Sequence, residues 1–149
     1  MQFELIKDYQ NELNLLLTRA TKGSAGYDFK AAKDIVVPNI LTDRSVLVPT
    51  GVKCKLERDQ VLLLFNRSSN TAKRGLIIPN GVGVVDSDYY SNLDNEGQIF
   101  GLFSCVGQKS YLIHKGDRIM QGIVIDYHVA DNDISTGVRM GGFGPTGKK

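Results

Sequence analysis

The 149-residue chain has no tryptophan, only four prolines and only two cysteines. Cys54 and Cys105 are too few for a disulfide framework and lack metal-ligand spacing, so both are expected to be reduced and wholly or partly in the core. Nowhere do eighteen consecutive apolar residues occur, and no basic segment followed by an apolar stretch opens residues 1–20. No membrane partner is expected, and the protein is placed in the cytoplasm. Charge of one sign is also lacking: a net +2 and a pI near 8.5 leave no strongly basic face. That argues against nucleic acid as the main partner while leaving room for a local basic pocket that takes a small anion. Neither an internal repeat nor a low-complexity tract is present.

What the chain does have is glycine, sixteen residues of it, punctuating short apolar runs. Residues 3–6 suit a short strand, and residues 11–17, with three consecutive leucines, are expected to be strand or extended chain. Ile35, Val36 and Val37 form a further strand. Val46 and Val48, then Val52, Cys54 and Leu56, alternate around Pro49-Thr50-Gly51 and predict a half-buried hairpin. The continuous run from Val61 to Phe65 suits a strand buried on both faces. Residues 69–74 suit a helical turn closed by Gly75. In the last long strand, Ile119, Gln121, Ile123, Ile125 and Tyr127 share one face, read as the apolar one. Many short strands with glycine punctuation indicate an all-β sandwich or barrel. One domain, residues 1–138, is expected, followed by a glycine-rich and mobile tail at 139–149.

Candidate chemistry concentrates in residues 67–90, RSSNTAKRGLIIPNGVGVVDSDYY. Arg67 supplies a planar fork of donors, and Ser68 and Ser69 add hydroxyl and backbone donors, a combination suited to phosphate. Asn80, Gly81, Val82 and Gly83 read as a turn that lets the backbone bend sharply or approach a ligand closely. Asp86 and Asp88 follow, then Tyr89. Gln121 is a buried amide that needs partners, and Asp117 and Arg118 are expected to pair at their strand's start. His114 and His128 are read as ordinary strand-surface or core histidines.

Five motifs, in order, resemble those of the homotrimeric all-β dUTPase family: SAGYDF at 24–29, Arg67-Ser68-Ser69, NGVGVVDSDY at 80–89, GDRIMQ at 116–121 and RMGGFGPTG at 139–147. The resemblance implies a distorted jelly roll that hydrolyses dUTP to dUMP and pyrophosphate. It implies that Asn80 and Gly83 present polar groups to uracil, that Tyr89 packs under the deoxyribose, and that Asp86 is the general base. Phosphate contacts fall to Arg67, Ser68, Ser69, Gln121, Arg139, Gly144 and Thr146, and Phe143 stacks on uracil. Asp28 fixes the turn or hydrates the metal. Mg²⁺ arrives on the substrate phosphates with no direct protein ligand. Each of three sites draws on all three subunits: residues 80–89 from one, Arg67, Ser68, Ser69 and Gln121 from a second, and residues 139–146 from the third.

Two departures from the family stand out. Phe143 follows Arg139 at an offset of four, one fewer than the commonest pattern. Residues 90–97, YSNLDNEG, form an insertion read as a surface loop, of a kind found in Gram-positive bacterial and phage members; a phage-encoded chain would work in the host cytoplasm. That insertion also admits a regulatory protein partner, the reading in which the scaffold is a nucleotide-switched binding module. A further alternative is a dCTP deaminase, which shares the fold and the Arg-Ser-Ser turn; Asp86-Ser87-Asp88-Tyr89 and Phe143 favour the dUTPase.

Overall fold

A computed structural model of the protein describes residues 1–107 and 109–139. Those residues form twelve strands: β1 (Gln2–Leu5), β2 (Thr18–Arg19), β3 (Tyr27–Lys30), β4 (Ile35–Val37), β5 (Val46–Pro49), β6 (Val52–Lys55), β7 (Gln60–Asn66), β8 (Leu76–Ile77), β9 (Gly83–Val85), β10 (Phe100–Cys105), β11 (Tyr111–Ile113) and β12 (Arg118–Asp126). They pair antiparallel into a five-stranded sheet, β2-β3-β12-β7-β9, a three-stranded sheet, β5-β10-β8, and two pairs, β1-β6 and β11-β4. The result is the all-β distorted jelly roll, wrapped around a core that includes Phe29, Leu62, Leu64, Phe103, Ile119 and Met120.

The predicted hairpin around Pro49-Thr50-Gly51 is not one. Both strands form, but β5 pairs with β10 and β6 with β1. The Thr50 hydroxyl donates to the Ile99 carbonyl at 2.7 Å, and the Gly51 N–H to Gln98 Oε1 at 3.1 Å. Ile99 in turn donates its N–H to the Val52 carbonyl at 2.8 Å. The turn is stapled to residues 98 and 99, which sends its two strands into different sheets. Alternation predicts a buried face; it does not encode the partner.

Residues 11–17 are likewise not a strand. They contain a 3-10 turn at Leu13–Leu15, preceded by another at Lys7–Tyr9. Of the four leucines in this segment Leu15 enters the core fully and Leu17 packs against it, while Leu13 is 69% exposed.

On β12 the core takes Met120 and Gly122, with Val124 packed against it, while Ile125 and Tyr127 are exposed. The predicted apolar face is the outer one. Gly122 disguised the inner face: a Cβ there would lie 2.6 Å from Phe29 Cε2 and 2.8 Å from Leu62 Cδ1, so the volume already belongs to those side chains. Ile119 also turns inward because the register shifts between Arg118 and Met120. β7 likewise buries Leu62 and Leu64 and leaves Val61, Leu63 and Phe65 half-buried, rather than covering both faces. The helical turn closed by Gly75 is present as a π-type turn at Asn70–Arg74. Both cysteines are buried free thiols, and burial pushes Cys54 up to about 12. Among the described residues no helix is long and apolar enough to cross a membrane.

Candidate active site

Among the described residues β9 is the outer strand of its sheet, paired with β7 on one side only. Its three residues, Gly83, Val84 and Val85, line a pocket of about 330 Å³ together with Asn80, Tyr89, Ile99 and Arg139 among others. An edge strand is a ready-made row of donors and acceptors. Here it borders a largely apolar cavity, the combination that holds a flat polar ring. The Asn80 amide donates to the Val82 carbonyl at 3.3 Å and so is turned into its own loop, at the rim of the pocket. Apolar walls come from Leu64, Ile99, Phe100 and Leu102. No local motif marks these four as lining: Leu64 is brought there by the pairing of β7 with β9, and Ile99, Phe100 and Leu102 come from β10 and the residue before it, in another sheet.

Directly after β9, Asp86 sits in extended backbone at φ −79° and ψ 159°, ahead of the 3-10 turn Ser87–Tyr89. Its carboxylate is half exposed and pairs with the Arg139 guanidinium, whose Nε donates to Asp88 Oδ1 at 2.7 Å. Asp88 is thus an arginine partner. Arg139 meets the carboxylates of its own chain, whereas the family resemblance sends it to a neighbour's phosphate. Phe143, Gly144 and Thr146, with the rest of the expected tail from residue 140 onward, lie outside the described residues.

The phosphate-type cluster is elsewhere. Asp28, 8% exposed, accepts from Arg67 Nε through Oδ1 and from Arg118 Nη1 through Oδ2, each at 3.1 Å. Arg67 Nη1 also donates to the Arg118 carbonyl at 3.3 Å. Arg118 therefore pairs with Asp28 and not with Asp117, whose Oδ2 accepts the His114 N–H. With both oxygens engaged by arginines, Asp28 has the geometry of a residue that aims Arg67. Gln121 stands opposite Asp28 on β3 and Phe65 on β7, its side chain packed against Gly26. Ser68 is exposed and Ser69 half-buried, at the start of the helical turn.

These two groups do not meet within one chain. Val85 pairs with Leu62, which sets Asp86 level with Val61, six residues along β7 from Arg67. At about 3.3 Å per residue their backbones lie about 20 Å apart along the sheet.

An open strand edge over an apolar pocket, followed by a carboxylate, with an arginine cluster at the far end of the same sheet, defines a protein for a small anionic ligand bearing a planar ring. The dUTPase family model matches residues 14–147, and the chain belongs to that family. It is 40% identical over 147 residues to the deoxyuridine 5'-triphosphate nucleotidohydrolase of Lactococcus lactis subsp. lactis, covering 97% of this chain and 96% of that one. The crystal structure of the dUTPase from Streptococcus mutans superposes with a TM-score of 0.83 at 42% identity, covering 89% of this chain and all of that one. A dUTPase from phage phi11 of S. aureus shares the fold at a TM-score of 0.72 and 18% identity, over 91% and 96% of the two chains.

Proposed function

We propose that the protein hydrolyses dUTP to dUMP and pyrophosphate. The observation that carries this reading is the open edge of β9 at a pocket bounded by Tyr89, with Asp86 immediately following the strand. An edge that matches the O4, N3–H and O2 pattern of uracil leaves polar groups unpaired against cytosine, which discriminates by about four to five decades in sites of this type. Thymine's 5-methyl is rejected by overpacking against the β9 arm. Tyr89 lies beneath the deoxyribose.

Asp86 holds a water and takes its proton as the oxygen attacks the α-phosphorus. The new P–O bond forms as the bond from the α-phosphorus to the bridging oxygen breaks, and pyrophosphate leaves with that electron pair. Arg67, with Ser68, Ser69 and Gln121, neutralises phosphate charge. Arg139 exchanges its two carboxylates for phosphate oxygens, which frees Asp86 for the water. Among the described residues no group of three or more His, Cys, Asp or Glu could cage a metal, and Asp28 is engaged by two arginines. In this reading Mg²⁺ is carried on the triphosphate, with no direct protein ligand. When bound there, the ion neutralises phosphate charge.

The 20 Å gap supports a site built from more than one copy, the family's homotrimer with Asp86 from one subunit and Arg67 from another. The outer face of the five-stranded sheet carries Val61, Leu63, Phe65, Ile123 and Ile125 in adjacent register, an apolar stripe suited to self-association.

Pyrophosphate release from dUTP, dTTP, dCTP and UTP with Mg²⁺ tests the reading. dUTP should be consumed far faster than the other three, and ammonia release from dCTP would overturn it. Tyr89→Ala should admit UTP, measured as a fall in the dUTP-to-UTP ratio of kcat/KM; an unchanged ratio counts against a sugar-facing ring. Asp28→Asn should raise the KM for dUTP about tenfold at saturating Mg²⁺ while changing kcat less, because Arg67 loses a charge-assisted partner. A shift confined to the Mg²⁺ requirement would instead place Asp28 on the metal's water.

A further inference from the structure

We infer that the loop at residues 90–97 is a positioning device for Tyr89, with Asn95 as the residue that carries it, so that rejection of a ribose 2′-hydroxyl is set from outside the pocket. This rests on the reading of Tyr89 as the sugar-facing ring. By composition the segment is an ordinary polar surface loop. Its bonding is not ordinary.

The loop is anchored on the β1-β6 pair. Glu96 Oε2 accepts the Lys7 N–H and Oε1 accepts from Lys53 Nζ, each at 3.0 Å, and these contacts lower its carboxyl pKa. Tyr90 donates its hydroxyl to Glu4 Oε2 at 2.8 Å. Ser91 and Glu96 hold left-handed backbone at φ 56° and 61°. Non-glycine residues keep that conformation only where their surroundings over-determine it. Gly97, at φ +80°, lies where a Cβ would be 2.8 Å from the Tyr89 carbonyl oxygen, so the loop closes tightly on the backbone of Tyr89 itself.

Three hydrogen bonds pass this rigidity to Tyr89. Asn95 Nδ2 donates to the Tyr89 hydroxyl at 2.8 Å, and that hydroxyl donates to the Gln98 carbonyl at 2.8 Å. Asn92 Nδ2 donates to the Tyr89 carbonyl at 2.9 Å. Burial raises the pKa of the phenol, with the Asn95 hydrogen bond acting in the opposite sense, so the hydroxyl keeps the proton it gives to Gln98. Asn95 is itself oriented, its Oδ1 accepting from Asn92 Nδ2 at 2.9 Å and from the Gly97 N–H at 3.0 Å. The ring is thus held at its backbone and at its tip. A ring that excludes a hydroxyl by contact does so only if it cannot tilt away, and a locked rotamer supplies that stiffness.

The experiment compares kcat/KM for dUTP and UTP in Asn95→Ala, Tyr89→Phe and the double variant, with Tyr89→Ala as reference. Loss of the tether should lower the dUTP-to-UTP ratio about tenfold in either single variant, and no further in the double than in Tyr89→Phe, because the Asn95–Tyr89 hydrogen bond is already absent from both single variants. A merely structural loop would lower both substrates' kcat/KM in parallel and leave the ratio alone; that result, or additive effects, would overturn the inference. Should Asn95→Ala fail to fold, Tyr89→Phe removes the same hydrogen bond without touching the loop, and an unchanged ratio there overturns it as well. If Tyr89→Ala lowers the ratio and the tether variants do not, the tether alone is wrong. If Tyr89→Ala leaves the ratio unchanged, the reading of Tyr89 falls and the tether with it.

Discussion

Asp86→Asn is expected to lose about two to four decades of turnover on dUTP, the usual contribution of a positioned base, with fold and nucleotide binding retained. The structure explains why the loss should be confined to chemistry. Asp86 is half exposed, lies just outside β9 and has Arg139 as its side-chain partner, so an isosteric amide removes no core packing. Its extended backbone is one asparagine adopts freely. The checks are kcat at saturating dUTP, the melting temperature, and the affinity for a non-hydrolysable dUTP analogue. Turnover within a few-fold of the parent would remove Asp86 from the role of base.

The second large effect is a recovery. Asp86→Asn and a chain ending at Val138 should each be nearly inactive alone, yet refolding them together in equal amounts should restore about a quarter of the parent activity. In a closed trimer whose sites take the carboxylate and the tail from different subunits, half the sites carry an intact Asp86, and half of those receive an intact tail. The competing arrangement is the one in which Arg139 serves the Asp86 of its own chain, as it does here. Under that arrangement no site in any mixture combines both intact parts, and recovery is nil. Mass measurement of mixed trimers makes a null result decisive.

The residues around the β9 pocket were legible as a group because they are contiguous: Asn80, Gly83, Asp86 and Tyr89 fall within ten residues, and the glycine-spaced run reads as a turn, whereas the place of β9 at the end of its sheet comes from strand order. The cluster of Arg67, Asp28 and Gln121 was legible as residue types only. Arg67, Asp28 and Gln121 come together through the register of β3, β12 and β7, and register is a property of pairing that no single segment displays. The same limit hid the divergent partners of β5 and β6 and the bond from Arg118 to Asp28. Gly122 misled for another reason, since a residue with no side chain hides the burial of its own face. Asn95 was invisible because its importance lies in one hydrogen bond to a neighbour six residues back, and polar loops contain many asparagines that make none.

The order of the central sheet also bears on how the chain comes into being. β7 and β9 are near neighbours in sequence and can pair early, but β3 finds β12 only across more than ninety residues, Asp28 opposite Gln121. Non-local pairing of this kind is slow, since a long loop must close before any contact rewards it. On the ribosome, β9 therefore has its partner β7 while the arginine cluster still awaits the emergence of β12. Until then β7 presents an unpaired apolar edge, which makes the interval before β12 arrives the period of greatest exposure to aggregation.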